Sequence, residues 1–209
     1  MNIVEYNECL RKRFEETNDI NILLRYVMTE ALAPICDYEH MIQIIRNYKD
    51  TYQNPTLLIL GAYYLSYWFH EQENDLLEDL NRMKERMTSE ELAITYYLNA
   101  FHIQSTHPGF AKDPEYRKNL LLSIGYNVPF VNNRMLLAEI SPLEEKQTFY
   151  VEALRNVIHV NTYSEIKSTP DEAYAEPDQF IGEFITGTHP NAAHYSQLLE
   201  DALQAFNEG

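Results

Sequence analysis

The sequence predicts an all-α protein, a stack of antiparallel helix pairs, and three observations predict it. Glycine is scarce, with six in 209 residues. Apolar residues recur three and four positions apart through most of the first 160 residues, the spacing of one buried helical stripe. Capping side chains stand directly before proline at one junction after another, where the cap satisfies an orphan amide and proline has no amide to lose.

Taken in order, the chain reads as helices near 2–17, 19–33, 37–52, 55–70, 74–87, 89–105, 114–126, 130–140 and 142–159. In the second, Ile20, Leu23, Leu24, Val27, Met28 and Ala31 form one stripe, and Tyr38, Met41, Ile42, Ile45 and Tyr48 repeat it in the third. Asn54-Pro55 opens the fourth, which carries the most apolar stretch of the chain. That stretch, the 13 residues from Leu57 to Phe69, falls short of the roughly 18 apolar residues a membrane span needs. Thr88 and Glu91 have capping-box spacing before the sixth helix, Asp113-Pro114 opens the seventh, and Ser141-Pro142 with Glu144 opens the ninth. Connections of a few residues make consecutive helices antiparallel neighbours.

After His159 the texture changes. Residues 161–178 are polar, hold Pro170 and Pro177, and read as an acidic connector in which Thr169 and Glu172 have capping-box spacing. Helical spacing resumes in Phe180, Ile181, Phe184 and Ile185, and again in Ala192, Tyr195, Leu198, Leu199, Ala202 and Phe206. The expected organisation is a helical-repeat domain over 1–160, the connector over 161–178, and C-terminal helices over 179–209 packed on the same domain. The last helix caps the stack.

The fourth and fifth helices carry a family resemblance. Leu57-x2-Leu60-Gly61-x2-Tyr64 has the spacing of the first helix of a tetratricopeptide unit, with leucine in place of tryptophan, and Leu77 and Leu80 fall where the second helix makes apolar contacts. A weaker echo is Tyr150-x2-Ala153, preceded by Ala138. Over roughly 55–160 the chain resembles a degenerate tetratricopeptide-like array, an α-solenoid. The resemblance implies close approach of the paired helix at Gly61. It also implies a concave groove that holds a peptide through exposed first-helix residues such as Tyr63, Tyr67, His70, Tyr97 and Asn99.

Charge narrows the partner. Thirty-two acids against 16 bases leave a net charge of −16, which argues against nucleic acid and against an anionic membrane and favours a basic protein or peptide. The acids concentrate in two places. One is the base-free run of Glu71, Glu73, Asp75, Glu78 and Asp79; the other is residues 161–209, with nine acids and one base, where Asp171, Glu172, Glu176 and Asp178 lie in the connector. The N-terminus places acids before bases and has no apolar core segment, so no secretory signal and a cytoplasmic location are expected.

Catalytic and metal chemistry are not expected. The seven histidines form no His-x3-His on one face and no HExxH, and the chain has no nucleophile elbow or glycine-rich phosphate loop. Cys9 and Cys36 match neither a zinc spacing nor a disulfide framework and are expected as small buried hydrophobes. The expected function is a non-catalytic module, without cofactor, that binds a peptide or basic protein. One alternative is an immunity or inhibitor protein that neutralises a basic toxin through its acidic surface; another is a sensor of a small peptide or metabolite.

Overall fold

The computed structural model describes residues 3–32, 35–128 and 131–164, with 131 and 154–164 as backbone alone. Among the described residues every regular element is helical, as the sequence predicts, and within each compact unit consecutive helices pack on one another. These residues fall into two compact units, 3–87 and 88–164.

The first unit comprises α1 (Ile3–Thr17), α2 (Ile20–Glu30), α3 (Tyr38–Tyr52), α4 (Pro55–Tyr64) and α5 (Asp75–Arg82). Leu10 and Phe14 of α1 are buried; of the stripes read from the sequence, Leu23, Leu24 and Val27 of α2 and Met41, Ile42 and Ile45 of α3 are buried, while Ile20, Met28, Tyr38 and Tyr48 at their edges are half-buried. Helix α4 is different, because every residue from Leu57 to Tyr63 is buried. A helix apolar on all sides belongs in the interior, and α4 packs against both α3 and α5. Gly61 makes that possible: a Cβ there would fall inside the contact radius of Leu76 Cδ1 and lie 3.2 Å from Ile45.

The caps work as their residue types require. The Asn54 side chain accepts from Leu57 N, Asp19 from Asn21 N, and Asp37 from His40 N. Gln53 ends α3 in the left-handed region at φ 46°, a conformation usually left to glycine.

The second unit comprises α6 (Ser89–Thr106), α7 (Pro114–Gly125), α8 (Val131–Ile140) and α9 (Leu143–Ser164). Thr88 and Glu91 form the predicted capping box in full, and Asp113 caps α7. A buried polar relay crosses three helices: Asn133 Nδ2 donates to Ser123 Oγ (2.9 Å), which donates to the Ala93 carbonyl (2.6 Å). Arg134 of α8, 7% exposed, donates to the Val128 carbonyl and to Glu152 of α9. Helix α9 runs to Ser164, five residues beyond its expected end and into the segment read as connector.

Both cysteines are exposed, not buried as expected. On α1 the inward positions are Asn7, Leu10 and Phe14, which turns Cys9 outward. Cys36 lies in the α2–α3 turn with φ 49°. No helix among the described residues is long and apolar enough to cross a membrane. The acidic connector beyond 164 and the C-terminal helices lie outside the described residues.

Candidate functional site

Helix α4 does not end as an α-helix. Residues Leu65–Phe69 continue it as a π-turn, and His70 closes the turn in the left-handed region at φ 48°. A π-turn widens the ring by one residue and rotates the residues beyond it relative to the α register, and such turns concentrate at functional sites. Here the rotation turns Tyr67 and Trp68, 41% and 50% exposed, outward from a helix whose preceding residues are buried. Asn74, itself buried, sustains the turn. Its Nδ2 donates to the Ala62 carbonyl (2.9 Å) and to Ser66 Oγ (3.1 Å), while its Oδ1 caps α5 by accepting from Leu77 N.

Five aromatic rings then close a circuit. Tyr63 contacts Tyr64 at a centroid distance of 5.2 Å, and Tyr64 stacks on Tyr38 of α3 at 5.2 Å. Tyr38 stacks on Trp68 at 4.8 Å, Trp68 meets Tyr67 edge-on at 5.3 Å, and Tyr67 stacks back on Tyr63 at 5.5 Å. All five separations lie in the favourable range for aromatic pairs. The result is a ledge, buried on the Tyr63 side and open at Tyr67 and Trp68. Burial, reinforced by the adjacent Cys36, raises the Tyr38 phenol above its ordinary value.

The acidic run beside this ledge is partly neutralised by α3. Arg46 reaches Asp75 at 2.8 Å and Glu71 at 3.7 Å; Lys49 reaches Asp79 at 2.5 Å and Asp75 at 3.3 Å. Burial alone would raise the Asp75 carboxyl, but hydrogen bonds and charge from Arg46 and Lys49 outweigh it and hold the group below the usual carboxylate range. Glu78 pairs with Arg82 on its own helix at 3.3 Å. Glu73 is exposed and makes no ion pair among the described residues. The base-free run in the sequence is therefore not base-free in space, because its counter-charges come from a helix about 30 residues earlier.

Of the aromatic and polar residues expected to be exposed in a groove, Tyr67 and His70 are exposed. Tyr63 and Tyr97 are not; they are 9% and 7% exposed and serve as core residues, Tyr97 stacked on Phe101 at 5.9 Å. Tyr63 belongs to the stretch of α4 that is buried throughout, and Tyr97 falls among the buried Ala93, Ile94 and Leu98 of α6. Asn99 is half-buried, its Nδ2 donating to the Thr95 carbonyl of its own helix. Asp171, Glu172, Glu176 and Asp178 lie outside the described residues.

Sequence reasoning passed over Trp68, used Tyr64 only as the last position of the tetratricopeptide-like motif, and read Tyr38 as part of the apolar stripe of the third helix. The one available signal was that Trp68 is the single tryptophan of the chain, one residue past Tyr67. A second grouping also escaped it: a ligand atom each from Glu30, Asp37 and His40 lies within 4.8 Å of the other two. Comparison with protein-family models, with curated proteins and with solved structures gave no match.

Proposed function

We propose that this chain is a protein-binding module whose docking face is the aromatic ledge of Tyr38, Tyr67 and Trp68, and that its partner is a basic peptide or a basic face of a protein. The observation that carries this reading is the exposure of Trp68 and Tyr67 on a rigid five-ring circuit, next to His70, Glu71 and Glu73. Tryptophan and tyrosine give large contact area at small entropy cost and are the commonest binding hot spots. Their faces attract lysine and arginine, tryptophan most strongly. The acids beside them, within a chain of net charge −16, steer a basic partner.

The reading agrees with a tetratricopeptide-like stacking of helix pairs. The support is the sequential packing of the helices and the close contact that Gly61 allows between α4 and α5. The π-turn and the left-handed His70 add to it, since backbone conformations that cost energy persist where function holds them.

The test is a panel of fluorescent peptides of equal length, arginine-rich, lysine-rich and acidic, titrated against the protein and against Trp68→Ala. Selective binding of the basic peptides, weakened at least tenfold in the variant, supports the reading; equal affinity of variant and wild type sinks it. The net acidity also favours the inhibitor of a basic toxin as a second reading. Salt separates the two by degree: a charge-mimic complex weakens steeply as ionic strength rises, whereas a complex centred on the aromatic ledge loses its electrostatic steering but keeps its ring contacts.

A further inference from the structure

We propose that Glu30, Asp37 and His40 form a binding site for one divalent cation of the zinc class, set in the turn between α2 and α3. The three residues come from the last position of α2, the N-cap of α3 and the first turn of α3. One ligand atom from each lies within 4.8 Å of the other two. His40 Nδ1 is 3.3 Å from Glu30 Oε2, and two ligands held about 2.1 Å from a tetrahedral metal stand roughly 3.4 Å apart. The imidazole and the glutamate are thus already at coordination spacing, and the aspartate needs only a side-chain adjustment.

Glu30 is the strongest part of the case. It is 4% exposed, and it sits at the C-terminal end of a helix, where the peptide dipoles repel an anion. A buried carboxylate is costly unless a cation or several hydrogen bonds compensate it. Among the described residues no lysine or arginine pairs with it; its partners are Asn7 Nδ2, which donates to Oε1 at 2.7 Å, and His40. Asn7 is itself fixed, because its Oδ1 accepts from Thr29 Oγ1. This chain of hydrogen bonds holds Oε1 and presents Oε2 to His40, the arrangement by which proteins orient a ligating carboxylate.

The turn is also closed. Asp37 N donates to the Glu30 carbonyl at 2.9 Å, and Asp37 Oδ1 accepts from His40 N at 3.0 Å. Two carboxylates and one imidazole neutralise a divalent cation. One nitrogen and two carboxylate donors suit zinc, cobalt(II), iron(II) or manganese better than magnesium or calcium, which favour oxygen ligands alone. Three protein ligands leave a coordination position for water or for a side chain of a partner.

The site is distinct from the aromatic ledge but adjoins it in the chain, since Tyr38 stands between Asp37 and His40 and stacks on Trp68. The full-length protein should therefore be titrated with Zn2+ by calorimetry while the emission of Trp68 is recorded, and separately with Co2+ by visible absorption. The expected result is one Zn2+ per chain, a change in Trp68 emission that saturates with it, and cobalt bands free of thiolate charge transfer. His40→Gln alters an exposed residue and should keep the fold, yet weaken binding by at least about tenfold; Glu30→Gln should do the same wherever it folds. Binding of equal strength in His40→Gln, a thiolate band from Cys36 or Cys9, or no heat of binding at zinc far above the protein concentration would each overturn the proposal.

Discussion

Tyr38 and Trp68 lie 30 residues apart in sequence, yet their rings stack at 4.8 Å with an interplanar angle of 20°. The stack joins the first turn of α3 to the π-turn after α4, so the outer face of Trp68 is held open by a residue from another helix. Trp68→Ala is expected to lower the affinity for a basic peptide by roughly 2 kcal/mol, about thirtyfold, as removal of a binding hot spot does. Because Trp68 is half exposed, the thermal midpoint should move far less than the affinity. Parallel losses of affinity and stability would argue that the ring is structural only.

Gly61 lies where α4 approaches α5 most closely. A branched side chain there would drive into Leu76 and Ile45, both fully buried, so neither has room to move away. Gly61→Ile is expected to cost about 3 kcal/mol through overpacking, read as a lower denaturation midpoint in urea. Gly61→Ala places its Cβ inside the contact radius of Leu76 Cδ1, a clash that outweighs the gain in helix propensity of about 1 kcal/mol, so stability should fall, though less than in Gly61→Ile.

Acid should destabilise the first unit through Asp75. A carboxyl whose pKa is depressed by folding contributes stability that is complete above its unfolded value, about 4, and that disappears as the pH falls through the lower folded value. Wild-type unfolding followed by circular dichroism should therefore lose stability below about pH 4. Asp75→Asn should start less stable at neutral pH and lose less on acidification. Parallel pH curves for the two proteins would show that Arg46 and Lys49 contribute nothing through this group.

Tyr116 is fully buried beneath Phe110, at a centroid distance of 5.1 Å, and its hydroxyl has no hydrogen-bond partner among the described residues. Burial, with a lesser contribution from Glu139, pushes its phenol well above the ordinary value. An unsatisfied buried hydroxyl costs about 1–3 kcal/mol. Tyr116→Phe should therefore raise the thermal midpoint, and a fall would mean that the hydroxyl has a partner in solution.

The helix ends were legible because their chemistry is local: Asn54 before Pro55, Asp113 before Pro114, and Thr88 three residues before Glu91 each act within one turn. The π-turn was not legible, since it depends on Asn74 reaching back to Ala62 across 12 residues. The same limit hid the candidate site. Trp68 gains its meaning from Tyr38, and the acids Asp75 and Asp79 lose theirs to Arg46 and Lys49, through contacts that no local pattern encodes. Glu30 and His40 meet only because the turn between them doubles back, and their spacing of ten residues matches no helical or metal-ligand period.

The π-turn at Leu65–Phe69 also bears on how such a surface could arise and vary. A π-turn is an α-helix with one extra residue, so deleting a single residue from this segment would restore an unbroken helix and shift everything after it by about 100°. The buried half of α4 would keep its phase, while Trp68 and the loop after it would be carried round to another bearing. One insertion or deletion can therefore re-aim Trp68 while Leu57–Tyr63 keep their phase.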